Sequence, residues 1–182
     1  MSKARFWSDF VLTVIGIFVA SLVVAAVVMY LEETADARHW DVECVCIKGL
    51  KFRVYVADSE AKRSEGYKFK NSIDFRGAGA KGMLFLWVLG APKTVTFTMQ
   101  NVSFPLLLVH VTYVNGRHVV YNKTLMVPNH MYTFTTVSSK DFFLELDPSL
   151  DSSIHAGDEV EHSVCYVIRF AGRIPIVEDW MC

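Results

Sequence analysis

The sequence has no excess of positive charge. Its 182 residues include 18 Lys and Arg against 19 Asp and Glu, which gives a formal net charge of −1. Proteins that bind nucleic acid need a basic surface for the phosphate backbone. We therefore expect no nucleic acid as a partner. Side-chain amides are also scarce, because Gln100 is the only glutamine, and such depletion is typical of thermophile proteins.

Motifs of known chemistry are missing as well. No Gly-x-Ser-x-Gly elbow presents a nucleophile, and the glycine-rich residues 71–82 lack the Gly-Lys-Ser/Thr of a phosphate loop and lead into a strand. The pair Cys44 and Cys46 has no second pair of ligands to complete a zinc site. We therefore expect no metal, no cofactor and no assembled catalytic site, and the glycine-rich stretch predicts a flexible turn.

Charge is absent altogether from residues 10–31. At about 1.5 Å per residue this run reaches roughly 33 Å, enough to cross a hydrocarbon core of about 30 Å. Lys3 and Arg5 precede the run, and positive charge marks the cytoplasmic side. The pattern predicts a single-pass transmembrane helix in the cell membrane, with residues 1–9 as a cytoplasmic tail and everything after the helix outside the cytoplasm.

Two other interpretations of the apolar run stay open. A cleaved secretory signal could end at the small-residue site of residues 35–37, but the run exceeds the usual signal core of about 7–15 residues. Alternatively, a pilin-like helix could be cut after Arg5 and pack in the core of a filament. We prefer the retained anchor, which implies contact with the membrane and with another membrane or envelope protein, or self-association.

The cysteines follow the anchor. An even count of four in an oxidising compartment favours disulfides over free thiols. Cys44 or Cys46 bonded to Cys165 would join the start of the outward domain to its last strand. Two glycosylation sequons begin at Asn101 and Asn122, and we expect Asn122 to be the one used.

After a short stalk at residues 32–41, residues 42–170 read as one β-rich domain, followed by a tail at residues 171–182. Apolar and polar residues alternate at residues 51–56 and 94–99, which is the period of a half-buried strand. Further strands are predicted at residues 132–137, 142–146 and 163–170, and the apolar run of residues 83–89 is either a strand buried on both faces or a short helix segment.

Turn chemistry defines the connections. Asn115-Gly116 between two β-branched runs predicts a type I′ hairpin, which places Tyr113 opposite His118 and His110 opposite Tyr121.

Two short helices are expected between the strands. Asp58 is predicted to cap a helix over residues 59–65 that Gly66 ends. Asp147-Pro148 predicts the start of another short helix.

The ordered series of these pieces resembles the prokaryotic domain-of-unknown-function family 192 over about residues 50–161. The matching segments are residues 54–58, 82–85, 99–101, 104–106, 115–116, 143–146 and 157–160. The resemblance implies a mainly β fold, a compact barrel-like or sandwiched antiparallel sheet with short helices, commonly exported. Thr98, Gln100 and Leu107 stand where the family usually has Trp, Lys and Asp, so any ligand role of that Lys and Asp is lost here.

Candidate binding residues are Asn101, Pro105, His110, His118 and Glu145. Glu145 either faces solvent by strand alternation or is buried with a raised pKa, and we favour the exposed position. The two histidines are expected at the surface or at an edge. The resulting hypothesis is a membrane-anchored binding or accessory module for an envelope or membrane component. The alternative from another class is a hydrolase or metal-dependent enzyme that uses His110, His118 or Glu145.

Overall fold

A computed structural model describes residues 15–28, 40–88 and 90–164. The chain divides into two compact units, Met1–His39 and Trp40–Cys182. In the first unit, residues 15–28 form helix α1. No helix in the described parts of the chain has the length and apolar character that crossing a membrane requires. Because the predicted span of residues 10–31 extends beyond α1 into residues outside the described ranges, the anchor stays a prediction, as do both alternative cleavage sites.

The second unit is a closed β-barrel of seven strands in the order β1-β2-β3-β8-β5-β6-β9. This confirms a mainly β, barrel-like fold with short helices. The described residues form the strands β1 Val42–Ile47, β2 Leu50–Ala57, β3 Ala80–Phe85, β4 Thr94–Thr98, β5 Leu106–Val114, β6 Arg117–Met126, β7 Met131–Thr135, β8 Phe142–Leu146 and β9 Glu159–Val164. The two helical turns between them are α2, Glu60–Glu65, and the 3₁₀ helix η1, Pro148–Ser153.

One strand pair departs from the antiparallel expectation. β2 and β3 run parallel, with Tyr55 opposite Met83. Parallel neighbours need a long crossover rather than a tight turn, and α2 with the glycine-rich turn supplies it. In that turn Asp74 accepts hydrogen bonds from the amides of Ala78 and Gly79, each at 2.8 Å, and from the Tyr55 hydroxyl at 2.7 Å. The predicted turn is confirmed, and the Gly79 amide donates its hydrogen bond within the turn, to Asp74.

Two apolar layers cover the two faces of the barrel wall. The inner one fills the barrel and includes Val45, Val54, Leu84, Val109 and Leu144, all with no exposed surface. The outer one lies on β2, β3, β5 and β8, beneath the separate two-stranded sheet of β4 and β7. Its aromatic rings meet edge-on or tilted, as Phe97 of β4 does with Phe85 and Phe143 at 5.2 Å each. Because both faces of β8 are covered, all five of its residues are buried.

The hairpin is confirmed, with one correction to its register. Asn115 and Gly116 have φ values of 50° and 87°, as a type I′ turn requires, and Tyr113 lies opposite His118. His110, however, pairs with Asn122, because a β-bulge next to His110 shifts the register by one residue.

The ends of two other elements also differ from the prediction. The N-cap of α2 is Ser59 rather than Asp58, since its hydroxyl accepts from the Lys62 amide, and Asp58 instead pairs with the Lys62 ammonium at 3.0 Å. Gly66 ends this helix at φ 47°, as expected. The last described strand begins at Glu159 rather than residue 163, and residues 165–170 lie outside the described ranges.

The cysteine prediction is tested only in part. Cys46 is a free, partly exposed thiol, so its prediction as the disulfide partner of Cys165 is wrong. Cys44 is 5% exposed on the same face of β1. Val164 lies opposite Glu43, so the residues before Cys165 and before Cys44 are neighbours across β1 and β9. Cys165 itself is outside the described residues, and its disulfide stays a prediction.

The close approach of β3 to β8 depends on Gly82. A Cβ atom at this position would overlap the Glu145 carbonyl oxygen and the Leu146 side chain. We expect Gly82→Ala to lower the free energy of unfolding by about 1–3 kcal/mol, the usual cost of overpacking. Urea unfolding measures this, with Lys81→Ala at the exposed neighbouring position as the control. Equal stability of the two variants would contradict the contact.

Candidate functional site

Glu145 is buried on the outer face of β8. It lies between Met83 of β3 and Leu108 of β5, and only 6% of it is exposed. The prediction that Glu145 faces solvent is therefore wrong. Alternation along β8 does place it away from the barrel interior, but the second sheet of β4 and β7 covers this face as well. The alternation of the sequence assigns the Glu145 carboxyl group to the surface, but the group lies in an apolar layer.

Burial alone raises the pKa of the Glu145 carboxyl from 4.5 to about 8. Neither a hydrogen bond nor a neighbouring charge of the described residues contributes to this change. Desolvation disfavours the charged form of an acid, so the group is mainly protonated at neutral pH. Buried carboxyl groups without a partner are costly to keep and are concentrated at functional sites.

A pocket of about 360 Å³ reaches Glu145 from the surface. One side of the pocket is formed by α2 and the residues that follow this helix, and the other side by β4. Tyr67, Phe97 and Glu145 are among the residues that line the pocket. The Tyr67 hydroxyl is buried and has no hydrogen-bond partner among the described residues. Burial first, and then the charge of Glu145, raise the pKa of Tyr67 well above its usual value. Two polar groups without partners therefore share one pocket of the size that small ligands occupy.

His110 lies on the same outer face as Glu145 but in a separate hydrogen-bond network. It is 3% exposed, which corrects the expectation of a surface histidine, and its ring stacks on Phe143 at 4.5 Å. Its Nε2 donates to Asp141 Oδ2 at 2.9 Å, while the Thr112 hydroxyl donates to Oδ1 at 2.6 Å and the Val137 amide to Oδ2 at 2.7 Å.

The network around Asp141 is self-contained. Burial acts to raise the pKa of Asp141, but the hydrogen bonds from Thr112, His110 and Val137 outweigh it and lower the pKa. Asp141 is therefore an ionised carboxylate whose donors all come from the protein. It joins β5 to the connection between β7 and β8, which is a structural role.

His118 belongs to another part of the molecule. It occupies the same face of β6 as the core residue Val120, and its ring lies 5.0 Å from Phe142 and 5.9 Å from His162. Burial and the charge of His162 lower the pKa of His118. His162 Nδ1 lies 3.5 Å from Glu43 Oε2. Nevertheless, no three His, Cys, Asp or Glu side chains of the described residues are arranged to hold a metal ion.

The remaining candidates lie at the surface. Asn101 and Pro105 are exposed, and Asn101 adopts a left-handed φ of 63° while its carbonyl accepts from the Phe69 amide at 2.8 Å. Asn122 is exposed on β6, where its side chain accepts from the Lys123 amide. Of the five predicted binding residues, Glu145 alone lines the pocket. Tyr67 was not predicted as a site residue. The only signal for it in the sequence is its position as an aromatic residue directly after Gly66, which ends α2.

Solved structures with this fold exist. A protein of unknown function from Novosphingobium aromaticivorans has 27% sequence identity and a TM-score of 0.51, covering 66% of this chain and 82% of that one. A protein from Sinorhizobium meliloti, described as a candidate transcription regulator, has 19% identity and a TM-score of 0.50, covering 68% of this chain and 95% of that one. The second likeness shows the fold alone.

The family assignment is independent of these structures. No curated protein matches the chain. The model of the DUF192 family, described as an uncharacterized ACR, matches residues 43–162 and so confirms the resemblance seen in the ordered motifs. These residues contain Glu145, Tyr67 and the rest of the pocket. The chain therefore belongs to the DUF192 family.

Proposed function

We propose that the barrel is a binding module that takes a small ligand in the pocket above Glu145. The observation that carries this proposal is the pair of buried polar groups, the Glu145 carboxyl and the Tyr67 hydroxyl, that have no partner among the described residues. The Tyr67 hydroxyl loses its hydrogen bonds to water on folding, at a cost of about 1–3 kcal/mol, and burial disfavours the ionised form of the Glu145 carboxyl. A ligand with a matching polar atom gives Glu145 a hydrogen-bond partner that the described residues do not supply.

The proposed setting is the outer face of a cell membrane, where the ligand is an envelope or membrane component. Support comes from the charge-free run of residues 10–31 and the positive residues before it. Within that run the helix α1 carries apolar side chains that are largely exposed, including Ile17 at 63% and Phe18 at 66%. Exposed apolar surface of this kind is typical of a segment that contacts lipid or another apolar partner.

A second candidate is an enzyme in which Glu145 acts as a proton donor. The raised pKa of about 8 favours it, because a general acid must hold its proton at the working pH. A hydrolase of the two-carboxylate type also needs a second acidic group. The pocket offers Glu60 and Glu65, but Glu60 is exposed at the rim and Glu65 is paired with Lys70. Binding is therefore the function that the geometry supports better.

The test uses the full chain in a mild detergent and a library of small fragments. Neutral sugars, amides, carboxylates and amines are screened by saturation-transfer NMR. We expect at least one class of fragment to bind. Thr96→Trp should fill the pocket from its exposed rim and abolish the saturation-transfer signal of that fragment.

Thr133→Trp is the matched control. Thr96 and Thr133 lie opposite each other on β4 and β7, both exposed, and their hydroxyls share one hydrogen bond at 3.1 Å. Each variant loses that bond, but only Thr96 lines the pocket. If no fragment binds, or if both variants abolish binding equally, the proposed function is wrong.

A further inference from the structure

We infer that the ligand of this pocket is an organic cation, an amine with an apolar body, whose ammonium group pairs with the Glu145 carboxylate. The inference rests on the proposed function and specifies the chemical class of the ligand. The Glu145 carboxyl favours a partner of positive charge. A carboxyl group buried in an apolar layer can gain a hydrogen bond from many groups, but its ionised form is stabilised most by an opposite charge.

The protein does not supply this charge itself. Two cationic side chains line the pocket, and both are held by backbone carbonyls. Arg63 Nη1 donates to the carbonyls of Asp58 and Leu86 at 2.7 and 2.8 Å. Lys68 Nζ donates to the carbonyl of Ser64 at 2.6 Å. Among the described residues, no ammonium or guanidinium group forms an ion pair with Glu145, so the position next to it is open to the cation of a ligand.

Aromatic side chains form part of the pocket wall. The rings of Phe85, Trp87 and Phe97 line the pocket. The Arg63 guanidinium lies over the Trp87 ring at 5.6 Å, and Phe85 and Phe97 meet edge to face at 5.2 Å. The face of an aromatic ring attracts a cation, and its surface also buries an apolar body. Tyr67 also lines the pocket, and its hydroxyl is buried without a hydrogen-bond partner among the described residues. The acid and the aromatic walls thus provide contacts for an amine with an apolar body.

An anionic ligand fits poorly on the same evidence. It would meet the buried Glu145 carboxyl, and the Arg63 Nη1 and Lys68 Nζ groups already donate hydrogen bonds to backbone carbonyls. A neutral ligand remains physically allowed, because a protonated Glu145 can donate one hydrogen bond. The distinction is measurable: an amine must ionise Glu145 when it binds, whereas a neutral ligand leaves the proton in place.

The experiment is isothermal titration calorimetry of the full chain with benzylamine, at about pH 7 in phosphate and in imidazole buffer. Because these buffers have different ionisation enthalpies, the difference in heat counts the protons that binding releases. We expect release of roughly one proton per bound amine, since the ammonium group displaces the proton of Glu145. The affinity should also increase as the pH rises from about 6 to about 8.

Two comparisons make the result specific. Benzyl alcohol has the same ring and a neutral polar group, and we expect it to bind at least tenfold more weakly than benzylamine. Glu145→Gln keeps the size and the neutral hydrogen-bond donor of the protonated acid but cannot ionise, so we expect its affinity for benzylamine to be reduced at least tenfold.

Several outcomes would overturn the inference: equal affinity for amine and alcohol, undiminished amine binding by Glu145→Gln, binding without proton release, or no binding of benzylamine. Failure of this inference is distinguishable from failure of the proposed function. If neutral fragments bind in a manner that Thr96→Trp abolishes while benzylamine does not bind, the binding module stands and the cationic ligand is wrong. If no fragment of any class binds, the proposed function itself is wrong.

Discussion

We expect the free energy of unfolding to decrease as the pH rises from about 4.5 to about 8, because the unfolded chain loses the Glu145 proton over this range while the folded protein keeps it. The folded protein keeps this proton up to a pKa of about 8, whereas a glutamate exposed to water, as in the unfolded chain, has a pKa of 4.5. Between these values the unfolded state binds fewer protons than the folded state, so stability decreases with rising pH. One pKa unit corresponds to about 1.4 kcal/mol, which sets an upper limit of about 5 kcal/mol.

Urea unfolding of the full chain at about pH 5 and about pH 8.5 measures this effect. Glu145→Gln should remove the decrease, since the amide stays neutral at every pH. Glu161→Gln, at an exposed position on β9, should keep it. His118 acts in the opposite direction, because its lowered pKa means that stability is lost as the pH falls. The difference between wild type and Glu145→Gln isolates the Glu145 contribution, and a pH-independent difference would refute the burial of an acidic Glu145.

Removal of the Asp141 carboxylate is expected to cost about 3–5 kcal/mol of unfolding free energy, the usual result of breaking a buried charged network. In Asp141→Ala, the donors of His110, Thr112 and Val137 lose their acceptor in the protein interior. Because the pKa of Asp141 is lowered, its contribution is present above the unfolded pKa of about 4 and is lost as the pH falls through the folded value. The variant and the wild type should therefore approach each other in stability under acidic conditions.

Asp151→Asn provides the comparison for this measurement. Asp151 pairs with Lys123 at 2.7 Å, but 54% of the Asp151 side chain is exposed. Exposed ion pairs contribute about 1 kcal/mol or less, so this variant should be nearly as stable as the wild type. If Asp141→Ala and Asp151→Asn lose equal stability in urea unfolding at neutral pH, the Asp141 network is not a major support of the barrel.

Local signals predicted local structure well. The Asn115-Gly116 turn has the positive φ angles that a two-residue hairpin needs, and Gly66 ends α2 with the same backbone freedom. These features depend on a few neighbouring residues and are therefore visible in the sequence. The register of β5 against β6 beyond the bulge at His110 could not be predicted from the sequence, because a β-bulge inserts one residue without a distinctive sequence pattern.

The candidate site was harder to predict. The sequence marks Glu145 as a candidate but favours a solvent-facing side chain, and the histidines proposed as its companions lie elsewhere. His110 is bonded to Asp141, and His118 is on the inner face of the barrel wall. No sequence pattern connects Tyr67 with Glu145, because one residue follows α2 and the other lies in β8, far apart in the chain.

The sequence by itself determined most of the strands, although not the start of the last described one, where the hairpin turns, and that one long run of residues is free of charge. These properties follow from side-chain periodicity and from the backbone preferences of single residues. Only the tertiary structure decided that β2 and β3 pair in parallel and that a second sheet covers β8. That covering sheet removes water from Glu145, raises its pKa and leaves it at the base of a pocket. Alternation fixes the face on which a side chain lies, but the burial of that face depends on what packs against it.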